Sequence, residues 1–472
     1  MKTHISYLLI ILCIGITFSQ EGNSNTKSKL PPFKVLRAEE NYSYLNNKKK
    51  NPYEKDFFDP VKFIPLNKSK DAYLSFGGQL RSRFEHYSNR LWESQKDQDF
   101  YSQRINLHVN LVLGKYVRVF GELYHGYTSH EREFTEFDEI DFHQLFIDFK
   151  LPLQNDSRLL FRFGRQEMPF GAARLVGLRE GPNIRRSFDA GRLIFKNEET
   201  NIQAFYAREV QPTFNAFDNK FTLFKNDAIN PKLWGVYSQF KIRKFNGLNE
   251  VYYLGFQSDN ARFNDVTGKE TRHSIGIRRF GTSGKRWQYN TEVIFQFGEI
   301  GNSNINAFDI ETDWHYKFIN TPWQPRPGLK LQYTSGDKDT NDQKINTFNP
   351  MFVNPSYYSL ALTITPVNLI GVHPSFSIQP TENLNLYLEW AFFWRASRND
   401  GLYQPPRFVN RETNGVSNRN LGNQFGFKAS YEISRHLSFD WDLSYFIAGD
   451  FQKATGESEN ILHFAPTLSY KF

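Results

Sequence analysis

The sequence predicts an all-β fold, a transmembrane antiparallel β-barrel of about 18 strands with short periplasmic turns and long extracellular loops. Three observations predict it. Apolar residues recur at every second position in segment after segment. Mean hydropathy is −0.59 although 17% of the residues are aromatic. The last residue, Phe472, ends an alternating segment. A bundle of membrane helices is excluded, because beyond the N-terminus no run approaches the roughly 18 consecutive apolar residues that a spanning helix needs. In a barrel only alternate residues face lipid, so a polar average and an aromatic-rich chain are compatible. A secreted β-sandwich would alternate too and is the competing fold; the connections between strands favour the barrel.

The chain begins with Lys2, an apolar run from Ile5 to Ile16 and the small-residue segment Thr17 to Ser19, which predicts a signal peptide over residues 1–19. Cys13, the only cysteine, follows Leu12 rather than a small residue, which argues against a lipoprotein site and leaves the mature chain without disulfides. Residues 20–72 lack alternation and include the basic, proline-punctuated run "NNKKKNPYEKDFFDP", read as a periplasmic N-terminal segment, either docked at the barrel mouth or disordered. The barrel occupies 73–472.

Its first strand, "YLSFGGQLRSRFEHY", sends Leu74, Phe76, Leu80 and Phe84 to lipid, and Gln79, Arg81, Arg83 and Glu85 into the lumen. The alternation continues in "RINLHVNLVL" (104–113) and "LSFDWDLSY" (437–445), and closes in "ILHFAPTLSYKF". Short connections are expected at 114–116, 152–157, 196–200, 244–247, 281–286, 319–327, 381–383 and 433–436. Longer ones are expected at 88–103, 128–141, 168–191, 210–231, 259–270, 298–305, 336–371, 395–421 and 448–459. Eight turns and nine loops join eighteen strands, and an even number puts both termini on the periplasmic side. The apolar patch Leu360 to Val367 is either part of a loop or a further strand.

Residues 162–192 hold seven arginines, no lysine and three acids, in a chain of net charge +8. Arg104 and Arg118 lie on the second and third strands with inward parity. Arg162 lies on a strand, Arg165 at its end, Arg174, Arg179, Arg185 and Arg186 in the following loop, and Arg192 at the start of the next strand. Near the bilayer midplane an arginine facing lipid costs roughly 2–4 kcal/mol, so these groups belong inside. The choice of arginine over lysine points to bidentate contact with carboxylates or phosphates, or to internal pairing with Glu85, Glu122, Asp148 and Glu167. Arg81, Arg83, Arg104, Arg118, Arg162, Arg165, Arg174, Arg179 and Arg192 are therefore candidate pore-lining anion contacts.

"SGDKDTND" brings Asp337, Asp339 and Asp342 together in the long loop 336–371, where they could act as a gate by pairing with lumen arginines. Calcium is an alternative use of such acids, but the remainder of an EF-hand is missing and no metal is expected. No histidine pair has HExxH spacing and no serine sits in a nucleophile elbow, so neither an enzyme nor a cofactor is expected. Nucleic acid is not an expected partner of an exported barrel.

"FRFGRQEMPFGAARLVGLREGPNIRRSFDAGRL" resembles the central motif of the alginate export family, and similarity continues in "FKVLRAEENYSYL", "YLSFGGQLRSRFE", "DIETDWHY", "PRPGLKLQYTSGDKD" and "EWAFFWRASRNDGLY". The resemblance implies an eighteen-stranded bacterial outer-membrane barrel with an electropositive pore constricted by inward-folded loops. Arg162, Arg165, Arg174, Arg179 and Arg192, with Arg81 and Arg83, would be its anion contacts. Where the family's "FGDxRL" places an acidic or amide residue after the glycine, this chain has Ala172 and Ala173, which could remove a counter-charge at the constriction. The expected function is an anion-selective porin passing an anionic polysaccharide such as alginate. The alternatives are a general or nutrient porin for small anions or oligosaccharides, and a non-transporting surface barrel acting as an adhesin or structural protein. Outer-membrane lipid, lipopolysaccharide, the barrel assembly machinery and a periplasmic secretion partner are the expected neighbours.

Overall fold

A computed structural model describes residues 29–46, 51–129, 133–225, 230–242, 246–263, 266–340, 342–405 and 408–472; the expected signal peptide lies outside them. Eighteen long strands follow one another around a closed sheet. The first nine are β1 (Ala72–Tyr87), β2 (Gln98–Leu113), β3 (Val117–Thr128), β4 (Asp138–Pro152), β5 (Arg158–Gln166), β6 (Phe188–Lys196), β7 (Thr200–Glu209), β8 (Lys232–Lys241) and β9 (Leu248–Phe263). The others are β10 (Val266–Ser283), β11 (Trp287–Ile300), β12 (Ser303–Tyr316), β13 (Arg326–Thr334), β14 (Leu369–Thr381), β15 (Leu384–Arg395), β16 (Asn420–Glu432), β17 (Leu437–Ala448) and β18 (Ile461–Lys471). Each pairs antiparallel with its neighbours in the chain, and β18 returns to β1 with Arg81 opposite Ser469 and Tyr87 opposite His463. Closure leaves no unpaired edge, the condition for strands to cross a bilayer.

Burial follows the two-residue period. Along β1, Phe76, Leu80 and Phe84 are exposed on the outer wall, whereas Ser75, Arg81, Arg83 and Glu85 are buried inside. Two expected loops are strand instead. Residues 259–270 and 298–305 mostly continue the β9–β10 and β11–β12 hairpins, and Phe263, Ile300 and Ile305 pack with Ile345, Val367 and Tyr403 at the long-loop end. The patch from Leu360 to Val367 forms no strand; it folds inward, burying Ile364 and Val367 against the barrel wall.

Residues 29–46 and 51–71 dock at the short-turn end. Arg37 donates to the carbonyl oxygens of Gly78 (3.0 Å) and Phe472 (2.7 Å) across the seam between β1 and β18. Arg118 donates to the Ala38 carbonyl at 2.6 Å, and Asp56 pairs with Arg435 and His436, each at 3.0 Å.

Candidate pore and constriction

The lumen has two unlike halves. On one side the inner faces of β6–β9, β11 and β12 supply Phe188, Phe205, Leu233, Tyr252, Leu254, Phe256, Ile294 and Ala307, which pack against Met168, Phe170, Val176, Phe348, Met351 and Phe352. These last six belong to two loops that fold inward and bond to each other. Gly177 donates to the Phe352 carbonyl (2.8 Å) and Phe352 to that of Leu175 (2.9 Å), a parallel bridge between Val176 and Phe352. Apolar packing, together with buried ion pairs such as Arg272–Glu270 (2.6 Å) and Arg278–Glu250 (2.7 Å), fills this half, and the candidate path lies along the opposite, arginine-bearing wall of β1–β6.

That wall opens at the short-turn end into a cavity of 760 Å³ roofed partly by the N-terminal segment. Nine lysines and arginines line it against five carboxylates, a surplus of four positive charges. Arg118 and Arg162 both reach its edge and share Asp148, at 2.7 Å each. Arg192, directly opposite Arg162 in the sheet, donates instead to the neutral amides of Gln166 and Gln203. Two recesses of 240 and 400 Å³ open at the other end.

Residues 180–183 stand between vestibule and recesses, held to the wall by three of the expected contacts. Arg81 donates to the carbonyls of Glu180 (2.8 Å) and Pro182 (3.2 Å), and Arg83 to that of Gly181 (3.3 Å). Arg104, wholly buried, donates to the carbonyls of Asn183 and Pro182 (both 2.8 Å) and to the Glu180 carboxylate (2.7 Å). Burial opposes ionisation of Glu180, but Arg185 and Arg104 hold its carboxyl well below the usual carboxylate range. Half-buried Glu136, which accepts the Asn183 amide at 3.1 Å, is pushed up to about 7 by desolvation and then by Glu85. Arg179 donates to the Ile184 carbonyl at 3.0 Å, and burial, reinforced by Arg186, lowers it to about 10.

Two expected pore contacts do not face the path. Arg174 is buried in the filled half between Glu292 (2.7 Å) and Glu311, because its loop turns it toward the far wall. Arg165 points out of the barrel altogether. β5 continues through Gln166, so a residue three positions from Arg162 takes the opposite face, and Arg165 sits across from the outward Leu145 and from Asp189. The expected gate acids lie at the outer turn. Asp337 accepts the amides of Lys338 (3.0 Å) and Asn346 (3.2 Å), Asp342 accepts that of Lys344 (3.1 Å), and Asp339 is exposed. Among the described residues no group of three His, Cys, Asp or Glu side chains converges as on a metal ion.

The family model for alginate export matches residues 72–464. The chain belongs to the alginate export family. No curated protein sequence matches it. Solved structures similar to it in fold are porins, among them Pseudomonas aeruginosa OccK2 (OpdF) in complex with glucuronate, 12% identical over 84% of this chain and 98% of that one, with a TM-score of 0.54. A BenF-like porin from Pseudomonas fluorescens Pf-5 is 12% identical over 84% of this chain and 98% of its own, with a TM-score of 0.56. Acinetobacter baumannii OccAB1 is 10% identical over 88% and 99%, with a TM-score of 0.55. The protein is an outer-membrane channel-type barrel of the alginate export family.

In this alginate export family chain the turn where alanines replace the expected acid or amide has Gly171 and Ala173 in the left-handed region, at φ 57° and 60°. Gly171 is required there, since a Cβ would come within 2.5 Å of the Tyr237 hydroxyl. Lys150, Arg158 and Lys196 also line the vestibule and were not among the expected contacts. Parity alone finds them, because they share a face with Asp148, Arg162 and Arg192 at even spacings.

Proposed function

We propose that this barrel is an anion-selective channel that passes an anionic polysaccharide of the uronate type, entering through the vestibule. The observation that carries the reading is the surplus of four cations around an open cavity. The nearest partners of Arg192 within that wall are uncharged amides, so its charge is available to a passing carboxylate. Many cationic contacts in series bind a polymer at each step without trapping it at one, as conduction requires. The short-turn end, with residues 29–71, faces the periplasm on this reading.

A reversal-potential measurement in planar bilayers tests selectivity: anions are expected to outpace cations, and the reverse order ends the proposal. Polyuronate is expected to block the current where a neutral glycan of equal length does not. Equal block by both would favour a general porin, and absence of conductance in a folded barrel would favour a surface protein.

A further inference from the structure

Residues 213–225, in the loop between β7 and β8, lie on the outside of the barrel. Their anchor is a row of charges on the outer wall: Arg165 pairs with Asp189 at 2.8 Å, and Arg208 stands directly across from Asp189 in the sheet. All three are buried, Asp189 completely, although the neighbouring outward positions Leu145, Phe161 and Leu193 are exposed. The cover is the segment 218–222. Arg165 donates to the carbonyls of Asn219 and Lys220 (both 3.0 Å), the Thr222 amide donates to Asp189 (2.8 Å), and Asn219 donates to Asp141 and Asp138 (2.8 Å each).

Having sealed these charges, the loop turns phenylalanines outward. Phe217 packs on Phe142 (5.7 Å between centroids), and Phe221 and Phe224 pack on Phe163 (5.9 and 6.0 Å), both outer-wall residues. Phe224 is 76% exposed, beside the exposed Lys220 and Lys225. Phe163, Tyr206 and Trp234 lie on the same outer wall just below the charged row, and Phe142 lies on the long-loop side of it, where an aromatic girdle marks the membrane boundary.

We propose that residues 214–225 form an interfacial anchor, with Phe217, Phe221 and Phe224 inserted among the acyl chains of the leaflet at the long-loop end and Lys220 and Lys225 at its headgroup phosphates. Continuity with the lipid-facing wall identifies the partner as lipid. A charge row left bare at this depth would be costly, and a polar cover exposed to water would not need four phenylalanines in eleven residues.

The full chain with Cys13→Ala offers a cysteine-free background for spin labelling at Phe224→Cys, with Lys225→Cys as a second site and Asn414→Cys on another outer loop as the aqueous reference. In phospholipid vesicles containing lipopolysaccharide, nitroxides at 224 and 225 are expected to be relaxed by dissolved oxygen and severalfold less than at 414 by a water-soluble nickel chelate. Nickel accessibility equal to that at 414 would place the loop in water and overturn the anchor. Exclusion of both relaxants would mean that a second copy of the protein covers it, and would overturn it equally. The readout involves no conductance, so it stands apart from the identity of the solute.

Discussion

Arg165 and Arg192 are identical side chains on adjacent strands, one against the outer wall and the other in the lumen, and they predict opposite phenotypes. Arg192→Gln removes a charge whose near partners are amides, so it is expected to shift the reversal potential toward cations while the barrel stays as resistant to unfolding as before. Arg165→Gln removes the guanidinium bonded to buried Asp189 and leaves Arg208 across the sheet as the cation beside it, so it is expected to lower the heat-modification midpoint on gels with selectivity unchanged. A selectivity shift in Arg165→Gln as large as in Arg192→Gln would contradict the assignment of faces. Ala173 holds a left-handed backbone that an L side chain adopts at a cost of about 1 kcal/mol, so Ala173→Gly is expected to raise the same midpoint.

At the scale of elements, the constriction is a segment latched onto β1 and β2 largely through backbone carbonyls. A carboxylate makes a stronger charge-assisted bond to guanidinium than a carbonyl does, so a polyanion can compete for Arg81, whereas Arg83 and Arg104 already hold Glu85 (3.1 Å) and Glu180 (2.7 Å). Arg81→Gln with Arg104→Gln is expected to free residues 180–183 and raise single-channel conductance; unchanged conductance would show that the segment is held by other contacts. The latch also carries a pH dependence. Glu136 is raised from 4.5 to about 7 by desolvation and by Glu85, so the stability of burying it beside the segment is fully present below pH 4.5 and is lost as pH rises through about 7, although the bond from the Asn183 amide is kept by the ionised form. Glu180 is displaced the other way; its contribution is present above 4.5 and is lost only in stronger acid, so it is constant over the same window. Conductance is therefore expected to rise between about pH 5 and 7, and Glu136→Gln to flatten that rise. The strands themselves were legible in the sequence because the two-residue period is a local property, as in β1 and β17. The extension of β9 through β12 was obscured by polar residues in hairpins that project beyond the membrane. The face of Arg165 was hidden for a different reason: its partner Asp189 and its cover Asn219 come from other segments, and no spacing within the motif announces them.

For the whole molecule, the asymmetry between the two ends decides how a polyanion enters. The short-turn vestibule gathers a surplus of four cations, whereas the two recesses at the long-loop end mix Arg90, Lys96, Arg179 and Arg186 with Glu85, Glu133 and Glu136, a surplus of one. The filled half of the lumen sharpens the contrast, because it excludes solvent and focuses the field of the vestibule onto the opposite wall. Polyuronate added on the vestibule side is therefore expected to block ionic current at lower concentration than when added on the other side. The preference should weaken as salt is raised, since exposed charges more than about 10 Å apart are screened at 0.1 M. Cutting back the inward loop at Phe348 to Phe352 is expected to raise conductance while leaving that sidedness intact, because the bridge at Val176 is lost but the vestibule cations remain. Equal block from both sides in the unaltered channel would mean that the constriction, and not the vestibule, meets the polymer first.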